Sequence, residues 1–373
     1  MNRPLISFVV VCFNQESYIQ EAIEGAFGQS YSPLEIIITD DCSTDRSYEI
    51  IQRAVAAYRG PHTVRFGRTA RNVGMGGNLN LAMEMCQGEL VVGGAGDDVS
   101  LPERTEVTYR AWEDSGRRAT SIFSSYMTIS AAGEELSVGG TRGDPAEATL
   151  CRPQPGNLFE FLSQKWPVVV GCTHAWSPTL FKYFGPLTSD LEDLVLSFRS
   201  LAIGELLYVH RPLVKYRRHD TNVSFFATWD DTRSFEHREK RLRWVDEKTV
   251  GAYDNMLADV NILHRNGLIS SAERDRLRVE GWRERSLYDI ERRMMDGDFF
   301  ERLHIVAGAV KSGNVRCALY VLWRILPRAV YRGLYLLRES ASTRAGRRWP
   351  RTGKLTPKGV KGDGCSARSP GIP

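Results

Sequence analysis

Two adjacent carboxylates, Asp97 and Asp98, follow a glycine-rich turn at the end of the apolar run Leu90-Val91-Val92. Like charges this close repel each other unless another group offsets the repulsion. A divalent cation that prefers hard oxygen ligands would do so, and it would in turn hold a diphosphate. The alternative is an acidic loop that leads into a helix, because acidic pairs are common before helices.

Apolar runs of this kind recur along the first hundred residues and predict a parallel sheet. Residues 5–13 are continuously apolar and β-branched, which is typical of a strand buried on both faces. Shorter runs at 34–38, 63–66 and 89–92 predict three more strands, and apolar residues at helical spacing separate them. This alternation predicts an α/β fold with a mainly parallel, doubly wound sheet. Ligands of such sheets bind at the carboxyl ends of the strands, where these polar residues fall: Asn14, Asp40, Asp41, Asp97 and Asp98.

The sheet is predicted to continue in the next hundred residues. Residues 120–130 predict a strand, and the Gly-, Pro- and charge-rich stretch 131–157 predicts a loop or flap. Residues 206–216 predict a last strand. Pro212 within this run makes it an edge strand or a bent one, because proline cannot donate to a sheet ladder.

Bulk composition favours a soluble protein of a reducing compartment. The chain has 373 residues and a net charge of +4, which suits one domain with an appended region or two domains. Its seven cysteines are scattered, with no Cys-x-x-Cys pair, and therefore predict neither a disulfide framework nor a zinc site. No apolar run reaches the length of a membrane-spanning helix. A cytoplasmic location is expected.

Six motifs in their order resemble the family 2 glycosyltransferases, which have the GT-A fold. Within that family the chain is most similar to bacterial enzymes of O-antigen or other surface-polysaccharide assembly, including rhamnosyltransferase-like members. The motifs are Cys12-Phe13-Asn14, Thr39-Asp40-Asp41-Cys42-Ser43-Thr44-Asp45, Arg71-Asn72-Val73-Gly74 with Asn80, Gly96-Asp97-Asp98, Leu191-Glu192-Asp193 with Arg199, and Tyr216-Arg217-Arg218-His219 with Asn222.

The resemblance implies an inverting transfer of a sugar from a nucleotide-diphosphate sugar to an acceptor hydroxyl. It assigns Asp193 as the general base, with Glu192 beside it. It also implies a divalent cation, Mn2+ or Mg2+, that assists departure of the diphosphate. The usual Asp-x-Asp pattern has its first carboxylate where this chain has Ala95, so the cation has one carboxylate fewer. The ligands implied for the cation are Asp97, Asp98 and His219.

The same resemblance assigns the substrate contacts. The donor would be a UDP-, dTDP- or GDP-sugar, and the acceptor a saccharide, expected to be lipid-linked. Residues that would contact the nucleotide-sugar are Phe13, Asn14, Glu16, Asp40, Asp41, Arg71, Asn72, Asn80 and Asp97. Residues that would form the acceptor pocket are His174 and Trp176.

Each of these candidates has an ordinary structural alternative. Asp40 and Asp41 could form an Asx turn. The helix dipole stabilises acidic residues in a first turn by roughly 0.3–1 kcal/mol, although Ser189 and Asp190 already offer a cap before Glu192. The remaining candidates could simply be exposed side chains, turn residues or buried rings: Glu16, Arg71, His174, Trp176 and His219.

The last third of the chain predicts a helical extension and a tail. The predicted division is a glycosyltransferase domain at 1–228, a helical region at 229–338 and a disordered basic tail at 339–373. Residues 315–338 predict an amphipathic helix that could lie on an anionic membrane surface at the inner face of the cell membrane. The alternative is a helix that packs on the domain with a solvated cationic face. That face carries Arg316, Arg324, Arg328 and Arg332.

Two other functions remain open from the sequence. A sugar nucleotidyltransferase shares the doubly wound layout, but its Gly-rich Arg-Lys loop is replaced here by Asn14-Gln15-Glu16-Ser17. A non-catalytic nucleotide-sugar-binding protein is suggested by Ala95. Nucleic-acid binding is not expected, because the basic tail lacks interleaved aromatic residues on a folded module.

Overall fold

The computed structural model describes residues 3–139, 148–151, 157–163, 170–220, 222 and 235–296, with six further positions between 300 and 308. All of them belong to the first of two compact units, Met1–Leu322 and Trp323–Pro373. The predicted boundary at residue 228, the amphipathic helix 315–338 and the tail 339–373 lie outside the described residues and stay predictions.

The first hundred residues form the parallel half of the sheet. Its strands lie in the order β3-β2-β1-β4 and are all parallel. Every residue of β1 and β2 is buried, as their continuous apolar runs predict. In chain order the elements are β1 (Ile6–Cys12), α1 (Ile19–Phe27), β2 (Leu34–Asp40), α2 (Ser47–Ala57), β3 (Thr63–Arg68), α3 (Gly74–Met85) and β4 (Leu90–Ala95).

The second part of the sheet is mixed. Strand β9 is antiparallel to both β4 and β6, whereas β6 and β10 are parallel to each other. The elements are β5 (Val99–Ser100), α4 (Arg104–Asp114), β6 (Ala119–Ile129), β7 (Glu135–Gly139), β8 (Ala148–Cys151), α5 (Asn157–Leu162), a 3-10 turn (Gly171–Thr173), β9 (Ala175–Trp176), α6 (Thr179–Phe184), α7 (Glu192–Ile203) and β10 (Glu205–Arg217).

Strand β10 is bent and lies inside the sheet. It pairs with β6 on one side and with β5 and β8 on the other, and its register with β6 shifts around Pro212. The prediction of a bent strand is therefore confirmed, and that of an edge strand is wrong. The predicted loop 131–157 is also corrected, because it contains β7, which pairs with β6, and β8, which pairs with β10.

Two hydrophobic cores cover the two faces of the sheet. Phe8 and Val10 of β1 face the first core with α1, α2 and α4, and Val9 and Val11 face the second core, as the alternation of a strand requires. The second core also contains α3, α7 and the C-terminal helices α8 (Phe235–Arg265) and α9 (Ser271–Asp296). The predicted α/β class with C-terminal helices is confirmed. Of the helices in the described part of the chain, not one is both long and apolar enough to cross a membrane.

Candidate functional site

Asp97 and His219 meet at the carboxyl ends of β4 and β10. The Nε2 atom of His219 lies 3.0 Å from Oδ2 of Asp97, and Nδ2 of Asn222 lies 3.4 Å from the same oxygen. The short strand β5, just after Asp97, pairs with β10 and brings the two strand ends together. The ring of His219 also packs against that of Tyr18, with centroids 4.6 Å apart. Two residues separated by 122 positions in the sequence thus form one polar centre.

Asp98 points into the protein. Its side chain is buried, and its Oδ1 accepts a hydrogen bond of 2.8 Å from the backbone N–H of Arg217. The thiol of Cys172 lies beside this carboxyl. Burial, and then the charge of Asp97, raise the pKa of Asp98 well above its usual range. The predicted role of Asp98 as a cation ligand does not fit this geometry.

The guanidinium of Arg217 organises the residues around Asp97. This side chain is 1% exposed; its Nε donates to the carbonyl of Asp97 at 3.0 Å, and its Nη2 lies 2.7 Å from Glu21. Its third contact is the carbonyl of Ala131. Sequence reasoning noticed Arg217 only as a basic neighbour of His219, because a sequence does not distinguish a buried arginine from an exposed one.

The ligand atoms around Asp97 suit a divalent cation that takes most of its other ligands from water and substrate. A carboxylate oxygen and an imidazole nitrogen are both suitable for Mn2+. Within the described ranges there is no group of three or more His, Cys, Asp or Glu side chains placed to hold a metal ion. Asp97 and His219 would supply two ligands of such a cation, and water and diphosphate oxygens would supply the others, as is usual for cations at nucleotide sites.

Glu192 and Asp193 begin helix α7 and form a coupled acidic pair. Burial, and then the charge of Asp193, raise the pKa of Glu192 to about 8. Burial raises the pKa of Asp193 to about 6, although a 2.8 Å hydrogen bond from the N–H of Leu194 to its Oδ1 opposes this. Such values belong to the pair. Near neutral pH the pair retains about one proton, and Asp193 is the more acidic member.

The 3-10 turn joins this acidic pair to the Asp97 end of the site. A Cβ atom on Gly171 would lie 2.7 Å from Oε1 of Glu192, so the carboxylate packs where only glycine leaves room. The thiol of the next residue, Cys172, lies beside Asp98. A single turn of backbone thus contacts both groups of acids. Sequence reasoning missed this role, because the only local signal was a glycine at the end of an apolar run.

Two residues at the carboxyl ends of β1 and β2 have left-handed backbones. Asn14 has φ = 50° and Cys42 has φ = 57°, conformations that non-glycine residues rarely adopt. Oδ1 of Asn14 accepts a hydrogen bond of 2.8 Å from the N–H of Thr44, which holds the two strand ends together. Phe13 beside it is 42% exposed. Strained backbone of this kind concentrates at functional sites, and here it lies where the nucleotide-sugar is predicted to bind.

Asp40 and Asp41 are buried, and their carboxylates bond to nearby protein groups. Oδ2 of Asp40 accepts a hydrogen bond of 2.9 Å from the N–H of Ser43 and lies 3.1 Å from Nε of Arg68. Asp41 accepts hydrogen bonds from donors of residues 69–74. The turn-forming alternative therefore describes Asp40, whereas Asp41 ties the end of β2 to the loop before α3. Oδ1 of Asp40 is nevertheless buried without a hydrogen-bond partner among the described residues, which leaves one acceptor at this edge.

Three other residues that are predicted to contact the nucleotide-sugar lie on the surface. Glu16 accepts hydrogen bonds from the backbone N–H and the Nε atom of Arg46, at 3.0 and 3.1 Å, and these bonds lower its pKa. Arg71 and Asn72 are exposed at the start of α3, where Oδ1 of Asn72 accepts from a backbone N–H at 3.1 Å. All three remain predictions as nucleotide-sugar contacts.

Asn80 has a different role from the predicted one. Its side-chain Nδ2 donates to the carbonyl of Leu187 at 2.9 Å, and its Oδ1 accepts from the N–H of the same residue, also at 2.9 Å. Both ends of the amide are therefore used to tie α3 to the loop that precedes α7. A nucleotide contact by Asn80 does not fit this double hydrogen bond.

His174 and Trp176 are buried between β4 and β6. They are 1% and 3% exposed. Nε2 of His174 lies 2.8 Å from Oγ of Ser121, and its ring stacks on Phe123 at 4.1 Å. Burial, and then the charge of Arg104, lower the pKa of His174 to about 3, so the ring is neutral. The predicted acceptor contacts do not fit this burial, and the alternative of buried rings describes both residues.

A cavity of about 430 Å³ opens beside the Asp97–His219 pair. It lies within the size range of small-molecule sites. Its walls include three residues from the predicted site, together with Tyr18 and Arg218: Asn14, Glu16 and His219. The cavity therefore connects the strained end of β1 with the polar centre at Asp97.

Comparison with known proteins gives one family match. Residues 7–131 match the family model described as Glycosyl transferase family 2. An uncharacterized glycosyltransferase of Rickettsia typhi is 25% identical over 224 residues, which are 59% of this chain and 66% of that protein. The putative colanic acid biosynthesis glycosyl transferase WcaA of Escherichia coli is 36% identical over 106 residues, which are 28% of this chain and 37% of that protein.

Solved structures give lower identities over more of the chain. The crystal structure of S. aureus TarS 1-349 with UDP-GlcNAc is 14% identical, covers 83% of this chain and 92% of that chain, and has a TM-score of 0.48. The mannosyltransferase PcManGT from Pyrobaculum calidifontis, with GDP-Man and Mn2+, is 14% identical, covers 93% of this chain and 89% of that chain, and has a TM-score of 0.47.

Proposed function

The chain belongs to glycosyl transferase family 2 through residues 7–131, and from this premise we propose that it is an inverting glycosyltransferase. It would move a sugar from a UDP-, dTDP- or GDP-sugar to a hydroxyl of a lipid-linked saccharide in surface-polysaccharide assembly. The observation that carries the proposal is the 3-10 turn. Gly171 packs against Glu192, and the thiol of Cys172 lies beside Asp98, the neighbour of the Asp97–His219 pair. An acid–base pair and a cation-binding pair are what such a transfer requires.

Asp193 is proposed as the general base. As the acceptor oxygen attacks the anomeric carbon, Asp193 takes the hydroxyl proton, and the bond from that carbon to the diphosphate breaks on the opposite face. The electron pair leaves with the diphosphate, so a single displacement inverts the anomeric centre. A pKa of about 6 leaves Asp193 largely ionised at neutral pH, while Glu192, with a pKa of about 8, holds the proton of the pair.

Asp97 and His219 are proposed to hold Mn2+ or Mg2+. When bound, the cation would stabilise the negative charge that develops on the departing diphosphate. The chain contributes a carboxylate and an imidazole whose ring packs at a tilt against that of Tyr18. Arg217 holds the backbone of Asp97 in place through a 3.0 Å hydrogen bond to its carbonyl.

The predicted setting of the reaction stays part of the proposal. The relative WcaA is described as acting in colanic acid biosynthesis, which supports a surface polysaccharide as the product. We expect the protein to act in the cytoplasm, with residues 315–338 against the anionic inner face of the membrane. Deletion of residues 310–373 should then reduce the fraction of protein that sediments with membranes, and unchanged sedimentation would contradict this placement.

A donor screen tests the reaction itself. The purified chain is incubated with UDP-, dTDP- and GDP-sugars, Mn2+ or Mg2+ and lipid-linked saccharides, and released nucleoside diphosphate is measured. Asp193→Asn should lower kcat by about 10²-fold or more, since general base catalysis contributes that much. The control is Asp114→Asn, which changes an exposed carboxylate at the end of α4.

Two results would favour the other functions, one from this screen and one from a separate incubation with a nucleoside triphosphate and a sugar phosphate. Donor binding without release in the presence of any acceptor would favour a non-catalytic nucleotide-sugar-binding protein, which Ala95 suggests. Release of pyrophosphate from a nucleoside triphosphate and a sugar phosphate would favour a sugar nucleotidyltransferase. Equal rates for Asp193→Asn and the unmodified chain would refute the role of Asp193.

A further inference from the structure

We propose that helix α8 is part of the catalytic apparatus, in which Lys248 and Asn255 position the acidic pair of α7. They do so through the loop of residues 185–191, called the entry loop below, which ends at Glu192. The inference rests on the proposed function, because it names residues that serve the same site. It extends that site to a helix that lies more than a hundred residues beyond the end of the family match.

Asn255 anchors the middle of the entry loop. Its Oδ1 accepts a hydrogen bond of 2.8 Å from the backbone N–H of Thr188, and the side chain is 3% exposed. The Nδ2 of Asn255 faces Asp259 at 3.4 Å, which fixes which end of the amide points to the loop. A backbone N–H that loses its protein acceptor no longer favours the conformation in which the two were paired. Asn255 therefore selects one position of Thr188.

Lys248 anchors the end of the entry loop. Its Nζ lies 2.7 Å from Oδ2 of Asp190, and Oδ1 of the same carboxylate accepts from the N–H of Gly76 at 3.1 Å. The carboxylate fits closely, because a Cβ on Gly74 would lie 2.3 Å from it. Asp190 is thus held between α3 and α8 only two residues before Glu192.

Helix α7 is bound to α8 a second time, below the acidic pair. Arg199 and Asp259 form an ion pair with 2.8 Å between Nε and Oδ2, and each side chain is 1% exposed. Nη1 of Arg199 also donates to the carbonyl of Gly185 at the start of the entry loop. Both ends of the loop and the second turn of the helix are therefore fixed by contacts that include α8.

These contacts matter for the chemistry because a general base works only at hydrogen-bond distance from its proton. A displacement of about 1 Å by a mutation far from the reacting atoms can lower a rate by about 10²-fold. Lys248 and Asn255 act through Asp190 and the backbone of Thr188, so they are positioning residues. Their loss should change kcat while the donor, bound at the other end of the site, keeps its affinity.

Two variants test the inference with matched controls. Asn255→Leu removes the acceptor of the Thr188 N–H, and its control is Asn261→Leu on the same helix, where the amide donates to the carbonyl of Leu257. Lys248→Met removes the cation that binds Asp190, and Lys248→Arg restores it. The control for Lys248→Met is Arg285→Met, which removes an ion pair between α9 and Asp254 of α8.

The readouts are transfer kinetics and amide hydrogen exchange of Thr188. We expect Asn255→Leu and Lys248→Met to lower kcat by about 10- to 100-fold, with the donor KM within about threefold and recovery by Lys248→Arg. The Thr188 amide should exchange faster in Asn255→Leu than in Asn261→Leu, at similar melting temperatures. Unchanged exchange, or a kcat no lower than in the controls, would overturn the inference. If the unmodified chain transfers no sugar, the proposed function fails, and the exchange rates still decide whether α8 anchors the loop.

Discussion

The raised pKa of Glu192 has a consequence for stability that can be measured without a substrate. Its ordinary value of 4.5 is raised to about 8 by burial and by Asp193. In the pH range between these values the folded chain holds a proton that the unfolded chain releases. A rise in pH therefore stabilises the unfolded state more than the folded state. The free energy of unfolding should fall between about pH 4.5 and pH 8.

The size of this effect follows from the shift. One pKa unit corresponds to about 1.36 kcal/mol, which would give about 5 kcal/mol for an isolated site. The shift belongs partly to the pair with Asp193, and the side chain is partly exposed, so solvent and coupling reduce it. We expect the free energy of unfolding to fall by about 2–3 kcal/mol between pH 5 and pH 8 because of this group.

Chemical denaturation of Glu192→Gln at several pH values measures the effect. The variant is neutral at every pH, so its free energy of unfolding should fall by about 2–3 kcal/mol less than that of the unmodified chain over this range. Glu84→Gln, on the exposed side of α3, is the control and should follow the unmodified chain. Equal pH dependence of Glu192→Gln and the unmodified chain would refute the reasoning that burial holds a proton on Glu192.

Three further changes have defined outcomes. Gly171→Ala should lower the rate of transfer by about tenfold or more with little change in melting temperature, because its new Cβ displaces the flexible carboxylate of Glu192; an unchanged rate would contradict the packing argument. Asp259→Leu should lower the free energy of unfolding by about 3–5 kcal/mol in urea, because Arg199 is left buried without its partner, and a loss below about 1 kcal/mol would contradict this. His219→Gln should abolish most of the melting-temperature increase that Mn2+ produces with a nucleoside diphosphate, and an unchanged increase would place the cation elsewhere.

The parallel half of the fold could be predicted from the sequence because its signal is local. The strands at residues 5–13 and 34–38 are uninterrupted apolar runs, and such runs are buried in any parallel sheet. The convergence of Asp97 and His219 followed from the resemblance to a family. No local pattern would have joined a loop after β4 to a residue after β10.

The roles of several polar and aromatic residues could not be predicted, because they depend on partners far away in the chain. Asp98 looked equivalent to Asp97, but the N–H of Arg217 captures its carboxyl. His174 was predicted to form the acceptor pocket, but its ring stacks inside the sheet. The amide of Asn80 is used by a loop more than a hundred residues later. Sequence neighbours give residue type and exposure pattern, whereas tertiary contacts decide which side chains remain available to a ligand.

The mixed part of the sheet was missed for a related reason. Strand β7 carries exposed leucine and valine among polar residues. Its pairing with β6 shows that it is a strand, and this pairing cannot be seen in the sequence. Short strands without a buried face lack the alternation that identifies a strand. The stretch 131–157 therefore has the composition of a loop, although two of its segments are strands that extend the sheet.

The buried pair of Arg199 and Asp259 also bears on the order of events during synthesis. The parallel sheet is complete once about the first hundred residues have been made, and it can begin to fold while the chain is still growing. The partner of Arg199 is made 60 residues later, so this ion pair cannot form until α8 has been made. A newly made chain would therefore complete the edge at the carboxyl ends of its parallel strands before the contacts between α7 and α8 can form.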